Sequence, residues 1–201
     1  MRDGDRRKRI LLPHEAELML SVARNRKQYL LEDVLVVGIC EGLRRNEFFN
    51  LQWRHVDEKR RLMTLRDTKS NLDDQTDRMI DDVRPRTLQT LRAMRERTGV
   101  TNGPVFRKDD GSPFSSVTSL GIEVNRQLKD LAAELKLPDP EQVTMHPLRH
   151  TSVSWHYADD PDPERTRIRY GWKSVKMVFQ YTHLLPRGIV GEVRAFWNGA
   201  N

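Results

Sequence analysis

One stretch in the C-terminal part of the chain carries the residue types needed to attack a phosphodiester without a metal ion. It reads His146-Pro147-Leu148-Arg149-His150, continues at Gly171-Trp172 and reaches Tyr181-Thr182-His183. The negative charge of a phosphodiester grows as its phosphorus becomes five-coordinate, so catalysis needs fixed positive charge and hydrogen-bond donors around the non-bridging oxygens. Arg149 can supply a planar fork of donors, His146 a proton-transferring ring and Tyr181 an oxygen nucleophile. These side chains predict chemistry that needs no metal or other cofactor.

A second cluster lies earlier in the chain, at Gly42-Leu43-Arg44-Arg45-Asn46-Glu47. Taken with Lys69 and the C-terminal stretch, it resembles the catalytic domain of the tyrosine recombinase (phage integrase) family. That family carries a G-[LM]-R-x-x-E segment, a lysine in a β-hairpin, H-x-L-R-H, a G-[HW] pair and a Y-T-H tail, in that order. One box alone would be weak evidence, but five in order are specific. The resemblance extends from about Leu11 to Leu185.

The resemblance implies a role for each matched side chain. Six side chains are expected to act directly on the DNA backbone, namely Arg44, Lys69, His146, Arg149, Trp172 and Tyr181. Tyr181 is the expected nucleophile, His146 contacts the scissile phosphate and accepts the tyrosine proton, and Lys69 donates a proton to the departing 5′ oxygen. The two arginines and Trp172 are expected to bind the phosphate oxygens.

Two further residues are expected to support this set, and two features depart from the family's usual pattern. The resemblance implies that Glu47 is a buried orienting partner and that His150 holds the neighbouring helix. Trp172 stands where the family more often has histidine, and its indole N–H can donate one hydrogen bond but cannot shuttle a proton. The predicted hairpin also carries the acidic residues Asp73, Asp74 and Asp77, where basic ones are frequent.

Each candidate also has an ordinary structural interpretation. A tyrosine near the end of an amphipathic segment usually packs with its hydroxyl in water. Arginines often form surface salt bridges, hairpin lysines are usually only solvated, a Trp at this position can serve packing, and a histidine can be a satisfied core residue. Tyr157 and Tyr170 are interpreted as structural because neither has the matching interval from Gly171-Trp172.

A zinc site is the alternative for the histidine pair. His146 and His150 lie four residues apart, a spacing that can place two ligands on one zinc ion. Metalloprotease motifs, however, have a glutamate directly after the first histidine, where this chain has Pro147, and no third ligand is evident. The sequence therefore favours a site without metal.

The hydrophobic pattern predicts a mainly helical α+β domain with a small three-stranded antiparallel sheet. The resemblance implies that this fold is of the DNA breaking–rejoining enzyme type. The expected helices are Pro13 to about Arg24, one ending near Gly42, Arg45 to Leu51, one around Thr87 to Arg95, about Val117 to Leu137, one beginning near Pro147, one ending near Tyr170, Val175 to Tyr181 and Ile189 to Trp197. The expected strands are Gln52 to Val56, Leu62 to Arg66 and Arg78 to Ile80.

The helix that follows Thr144 bears most directly on the chemistry. Pro147 is expected at its first position, with the cap around Thr144 to His146. Arg149 would then project from the first helical turn, where free backbone N–H groups and the helix dipole also favour an anion.

Composition bounds the class of protein. The chain has 201 residues, a formal net charge of +6 and one cysteine, Cys40, so no intrachain disulfide can form. Its excess of arginine favours a phosphate-bearing partner, because a guanidinium binds two oxygens at once. Neither a secretory signal nor a membrane-length apolar run is evident. Many basic proteins never bind DNA, so charge alone favours a polyanion partner only modestly. Composition predicts an intracellular protein, and the resemblance implies that its partner is double-stranded DNA.

The expected domain organisation is a basic flexible lead-in at residues 1–10 and one catalytic domain at residues 11–201. Family members usually also carry an N-terminal helical core-binding domain, and nothing before Leu11 could fold into one. The chain is therefore expected to be a catalytic fragment or a truncated product.

The resemblance implies site-specific integration, excision or resolution of DNA through a 3′-phosphotyrosyl intermediate, without metal or ATP. It further implies a homotetramer on DNA, in which Ile189 to Trp197 could be exchanged between neighbours, and a bacterial or phage-encoded protein in the cytoplasm, associated with the nucleoid. Two alternatives stay open at this point. One is strand relaxation of the type IB topoisomerase kind, and the other is a DNA-binding relic that has lost cleavage.

Overall fold

The computed structural model describes residues 9–66, 77–182, 184 and 188–199. Within these ranges the α-helices are α1 Pro13–Asn25, α2 Tyr29–Glu41, α3 Arg45–Asn50, α4 Pro85–Thr98, α5 Val117–Glu134, α6 Met145–Asp159, α7 Pro163–Arg169 and α8 Val190–Asn198. Short 3₁₀ turns occupy Trp53–His55, Pro140–Gln142 and Val175–Gln180. The expected mainly helical fold is confirmed.

The strands form the predicted small antiparallel sheet. They are β1 Val56–Asp57, β2 Leu62–Leu65 and β3 Arg78–Ile80, in the order β1-β2-β3. Met63 of β2 pairs with Val56 on one side and with Ile80 on the other. Met63 and Ile80 are fully buried, so the sheet presents one face to the helices.

Helix α2 lies at the centre of the molecule. Eleven of its residues are buried, which is the pattern of a helix covered on all sides rather than on one stripe. It packs against α1, α4, α5 and α6. The helix ends at Glu41 and is capped by Gly42, which has a left-handed backbone (φ 63°). A Cβ atom at Gly42 would lie 2.5 Å from Cε1 of Tyr170. Glycine is needed here for both reasons, and the turn directs the following residue, Leu43, into the core.

One predicted strand is wrong. Gln52 to Val56 is not a continuous strand, because Trp53–His55 forms a 3₁₀ turn and only Val56–Asp57 joins the sheet. The turn lets the indole of Trp53 become buried with the guanidinium of Arg95 over its ring, 4.4 Å from the centroid. Burial of this large side chain therefore outweighs the extended preference of its neighbours.

Two helix boundaries also differ from expectation. Helix α5 ends at Glu134 rather than near Leu137, because Lys136 takes a left-handed conformation (φ 54°) and the N–H of Leu137 returns to Ala132 O. Helix α6 begins at Met145, so Pro147 is its third residue rather than its first. Arg149 consequently lies in the second turn of α6, not in the first. Its side chain, rather than the free N–H groups at the start of the helix, is therefore what it can offer to an anion.

Candidate active site

A cavity of about 590 Å³ lies where α3, α5, α6 and the turn before Tyr181 meet. Its polar and aromatic lining residues are Arg44, Arg45, Asn46, Asn125, Thr144, His146, Arg149, His150, Trp172, Gln180 and Tyr181. Five of the six side chains expected to act on DNA are among them. The sixth, Lys69, lies within residues 67–76, outside the part of the chain that the structure describes, as do Asp73 and Asp74.

Arg149 lines the cavity and is held by two backbone carbonyls. Its Nη1 donates to the carbonyl of Gly42 and its Nη2 to that of Tyr170, both at 2.6 Å. These bonds use two of the five N–H donors of a guanidinium, so donors remain for an anion. Burial, together with the charges of Arg78 and Arg44, lowers the pKa of Arg149 to about 9. The side chain therefore remains positively charged at neutral pH.

Arg44 lies beside it and is more exposed. Arg44 is the N-cap of α3 and has an extended backbone (φ −74°, ψ 155°). It therefore belongs to neither α2 nor α3, and its side chain leaves the chain at the junction between them. Nη1 donates to Glu47 Oε1 at 2.8 Å, and Nη2 to the carbonyls of Tyr170 (3.2 Å) and Gly171 (3.1 Å). The carbonyl of Tyr170 thus accepts from both arginines and fixes the spacing between them.

Glu47 is fully buried beneath these arginines. Its Oε2 accepts from Arg78 Nη2 at 2.8 Å and lies 3.9 Å from Arg149 Nη1. Burial raises the pKa of Glu47, but the charges of Arg78, Arg149 and Arg44 outweigh it and hold the pKa below its usual value. One carboxylate therefore faces three guanidiniums, which leaves an excess of positive charge next to the cavity.

Arg78 is a residue that the sequence analysis did not single out. It lies on β3, is buried, and donates through Nη1 to the carbonyl of Arg169 at 2.8 Å. The sequence carried a signal, because Arg78 and Ile80 occupy alternate positions of one predicted strand and therefore face the same side. In the structure both are buried, whereas Met79 between them is exposed. A charged residue at an inward position of a strand requires a buried partner.

Tyr181 directly follows the 3₁₀ turn Val175–Gln180. Its ring stacks on that of Trp172 (centroids 5.4 Å apart, interplanar angle 12°) and lies 5.1 Å from the ring of His150. Only 5% of the residue is exposed. Burial raises the pKa of Tyr181, and the charge of Arg149 opposes this only in part. The phenol is therefore protonated at neutral pH and needs a base before it can attack.

One imidazole contacts this phenol, and a second imidazole contacts the first. The ring of His146 lies 4.2 Å from that of His150, which in turn contacts Tyr181. His150 was expected behind the contact residues, but it lines the cavity between the other two rings. Trp172 lies with its ring 5.5 Å from the guanidinium carbon of Arg149, so it joins the arginine to the phenol.

The other two aromatic candidates lie differently. Tyr170 is fully buried, and its hydroxyl shares a 2.8 Å hydrogen bond with Ser152 Oγ, whereas Tyr157 does not line the cavity. The described residues contain no group of three or more His, Cys, Asp or Glu side chains that could hold a metal ion. No described helix has the length and apolar character needed to cross a membrane.

The profile of the phage integrase family matches residues 9–187, and the chain therefore belongs to this family, also called the tyrosine recombinases. The chain is 26% identical to the integrase of Salmonella phage P22 over 190 residues, which are 94% of this chain and 47% of that protein. It thus spans about half the length of this curated relative.

Solved structures show the same fold. The chain is similar to XerA recombinase (TM-score 0.70, 20% identity, 98% of this chain and 65% of that one). It is also similar to the integrase of transposon Tn1549 in complex with transposon right end DNA (TM-score 0.74, 17% identity, 97% and 67%). A lambda integrase dimer bound to a core site matches with a TM-score of 0.63 at 15% identity, over 92% and 62% of the two chains.

Proposed function

We propose that this chain is the catalytic domain of a site-specific DNA recombinase that cleaves and rejoins DNA through a 3′-phosphotyrosyl bond, without metal or ATP. The observation that carries the proposal is the position of Tyr181 in one cavity with Arg44 and Arg149, next to Trp172 and the histidine pair. Membership of the phage integrase family supports the same conclusion.

The proposed first step is an in-line displacement at phosphorus. The Tyr181 oxygen forms a bond to the phosphorus as the bond to the 5′ oxygen breaks, giving a 3′-phosphotyrosyl ester. His146 accepts the phenol proton, and Lys69 gives a proton to the departing oxygen, which leaves as a 5′ hydroxyl. A 5′ hydroxyl of another strand then attacks the ester and releases Tyr181, so no external energy source is needed.

Electrostatics explains how the site would stabilise the transition state. Charge accumulates on the non-bridging oxygens as phosphorus becomes five-coordinate, and fixed donors lower that energy. Arg149 is held by the carbonyls of Gly42 and Tyr170. Arg44 is held by Glu47, by the same Tyr170 carbonyl and by that of Gly171, so both guanidiniums are oriented before the substrate arrives. Trp172 adds an indole N–H as a further donor.

The assembly that we propose contains double-stranded DNA and four protomers that hold two duplexes. Residues 1–10 would be a basic lead-in and residues 11–201 the catalytic domain. Helix α8 was expected to be a segment that could be exchanged with a neighbour, and in this structure it packs against α1, α4 and α6 of its own chain. Exchange would therefore require these contacts to be replaced by equivalent ones.

Trapping of a covalent adduct tests the proposal. A pool of nicked duplexes with a randomised core allows the cleaved fragment to diffuse away, so that an attacked strand stays on the protein. We expect a band resistant to sodium dodecyl sulfate, absent in Tyr181→Phe and present in Tyr157→Phe. Mass spectrometry of the adduct should name Tyr181, and sequencing of the trapped DNA should give the target.

The possible outcomes separate the alternatives. Retardation of DNA without any adduct would mean that the protein binds but does not cleave. Relaxation of supercoiled plasmid by a monomer, without sequence preference, would favour the topoisomerase activity instead. An adduct confined to related sequences, formed by an assembly of several protomers, supports the recombinase.

A further inference from the structure

Arg45 lies at the cavity next to Arg44, but its contacts are different. Many exposed arginines of this chain pair with a carboxylate, as Arg24 does with Glu32 and Arg92 with Glu58. Arg45 is exposed, and no carboxylate of the described residues lies within ion-pair distance of it. The described residues that line the cavity also include no Asp or Glu. The positive charge of Arg45 is therefore not neutralised locally.

The side chain of Arg45 is nevertheless held in place by α5. A Cβ atom at Gly121 would lie 2.7 Å from Cδ of Arg45 and 3.2 Å from its Nη1. Glycine is unfavourable in a helix interior, and here its missing side chain leaves the space in which the arginine stem lies. The guanidinium is thus kept against α5 at the cavity rather than extended into solvent.

Asn125 places a second donor on the same helix face. Gly121 and Asn125 are four residues apart and therefore adjacent on the surface of α5. Oδ1 of Asn125 accepts from the N–H of Met145 at 2.9 Å, so the amide oxygen is already engaged at the start of α6. The Nδ2 group of an asparagine has only donors to offer, and Asn125 lines the cavity.

We propose that Arg45 and Asn125 form a second phosphate-binding subsite, which holds a backbone phosphate adjacent to the one that Tyr181 attacks. The inference rests on the proposed function. Phosphates recur about every 3.4 Å of helix rise along each DNA strand. Arg44 and Arg45 are neighbours in sequence whose side chains diverge, one toward Glu47 and the other toward Gly121. Contacts of this kind fix the position of the duplex without reading its sequence.

Salt dependence of DNA binding tests the subsite. All variants are made in the Tyr181→Phe protein, which binds without becoming attached, and binding to a fluorescent duplex of mixed sequence is measured by anisotropy. For Arg45→Ala we expect the slope of log K against log salt to fall by about 0.9. The ratio of the parent's binding constant to that of Arg45→Ala should then fall about 3.5-fold as the salt concentration rises from about 50 to about 200 mM. Arg45→Lys should keep most of the slope, because the charge remains.

Gly121→Ala provides a sharper test, because the cavity residues themselves are unchanged. The new methyl group displaces the flexible end of Arg45, so we expect weaker binding with a melting temperature equal to or above that of the parent. In an Arg45→Ala background the same change should weaken binding no further. Arg24→Ala on α1 is the matched control, since it removes an exposed arginine that does not line the cavity.

The proposal fails if Arg45→Ala keeps the parent's salt slope or behaves like the Arg24→Ala control. Additive effects of Gly121→Ala and Arg45→Ala would also overturn it. A loss of affinity restricted to particular sequences would mean that these residues read bases instead. If the unmodified protein forms the covalent adduct while the slope is unchanged, only the subsite is wrong. If it neither binds nor forms an adduct, the proposed function fails as well.

Discussion

Arg149 joins three parts of the cavity through a single guanidinium. It binds the carbonyls at Gly42 and Tyr170 and lies next to the ring of Trp172. We expect Arg149→Ala to slow formation of the covalent adduct about 10²–10³-fold, the usual loss when a donor to a developing oxyanion is removed. Single-turnover rates on a trapped substrate measure this effect. Arg149→Lys keeps the positive charge but loses the planar fork of donors. Its rate of adduct formation should therefore lie between those of the unmodified protein and Arg149→Ala.

Thermal unfolding must accompany that comparison, because Arg149 is also a structural residue. A variant that melts normally and cleaves at the rate of the unmodified protein would show that Arg149 does not act in the reaction.

The buried pair of Arg78 and Glu47 makes a prediction about stability. Breaking a buried ion pair by removing one partner typically costs about 3–5 kcal/mol. Glu47 keeps its 2.8 Å hydrogen bond from Arg44 when Arg78 is removed, so the loss should lie toward the lower end of this range. We expect Arg78→Met to lower the free energy of unfolding by an amount of this order. The double variant Arg78→Met, Glu47→Gln should be less destabilised than the sum of the two single changes. Urea denaturation of the four proteins gives the coupling free energy.

Arg92 serves as the control for this cycle. Its pairing partner is Glu58 and its side chain is more than half exposed. Removal of an exposed pair changes stability by about 0.2–1 kcal/mol. Equal losses for Arg78→Met and Arg92→Met would mean that the buried pair contributes nothing specific.

At the scale of the helices and strands, the sequence predicted the motif residues of the site but not Arg78. The motif residues were predicted to converge, and five of them do line one cavity, because their types and order are set by the chemistry. Arg78 was not predicted, since its partner Glu47 lies 31 residues away and only the folded chain brings β3 beneath α3. The position of Arg149 in the second turn of α6 escaped prediction for a related reason. Asn125, on another helix, binds the N–H of Met145, and α6 begins there, two residues before Pro147.

The buried contact between Asp33 of α2 and Arg97 of α4 predicts a pH dependence of stability. Asp33 of α2 is buried, which raises its pKa to about 7, although Arg97 of α4 opposes this and Glu32 and Asp109 add to it. The folded protein therefore holds a proton that the unfolded chain, with an ordinary aspartate pKa, releases near pH 4. The contribution of Asp33 to stability accordingly falls as the pH rises from about 4 to about 7 and is constant above that.

His156 changes stability in the opposite direction, so the effect must be measured as a difference. Burial, with Arg169 and Arg84 nearby, lowers the pKa of His156 to about 3, and its contribution is lost as the pH falls below the ordinary histidine value. We expect Asp33→Asn to gain stability relative to the unmodified protein between about pH 4 and pH 7. Urea denaturation across this range measures the difference. A difference independent of pH would contradict the assignment.

For the molecule as a whole, α8 decides whether a single chain has a complete core. Phe196 and Trp197 are almost fully buried, and the ring of Phe196 packs edge-to-face on Trp155 of α6 with the guanidinium of Arg86 over it. If α8 packs on its own chain in the protein without DNA, Phe196→Ala should lower the free energy of unfolding by about 3–5 kcal/mol. Ile122→Ala is the control, because 67% of Ile122 is exposed and its removal should have little effect.

The concentration dependence of unfolding then separates packing within the chain from exchange between chains. When α8 packs on its own chain, the urea midpoint is independent of protein concentration, and Phe196→Ala lowers it equally at every concentration. When α8 packs on a neighbour, unfolding is coupled to dissociation, so the midpoint rises with concentration because mass action favours the assembled form. A concentration-dependent midpoint in the absence of DNA would show that exchange precedes DNA binding, and α8 would then belong to the interface between protomers rather than to the core of one.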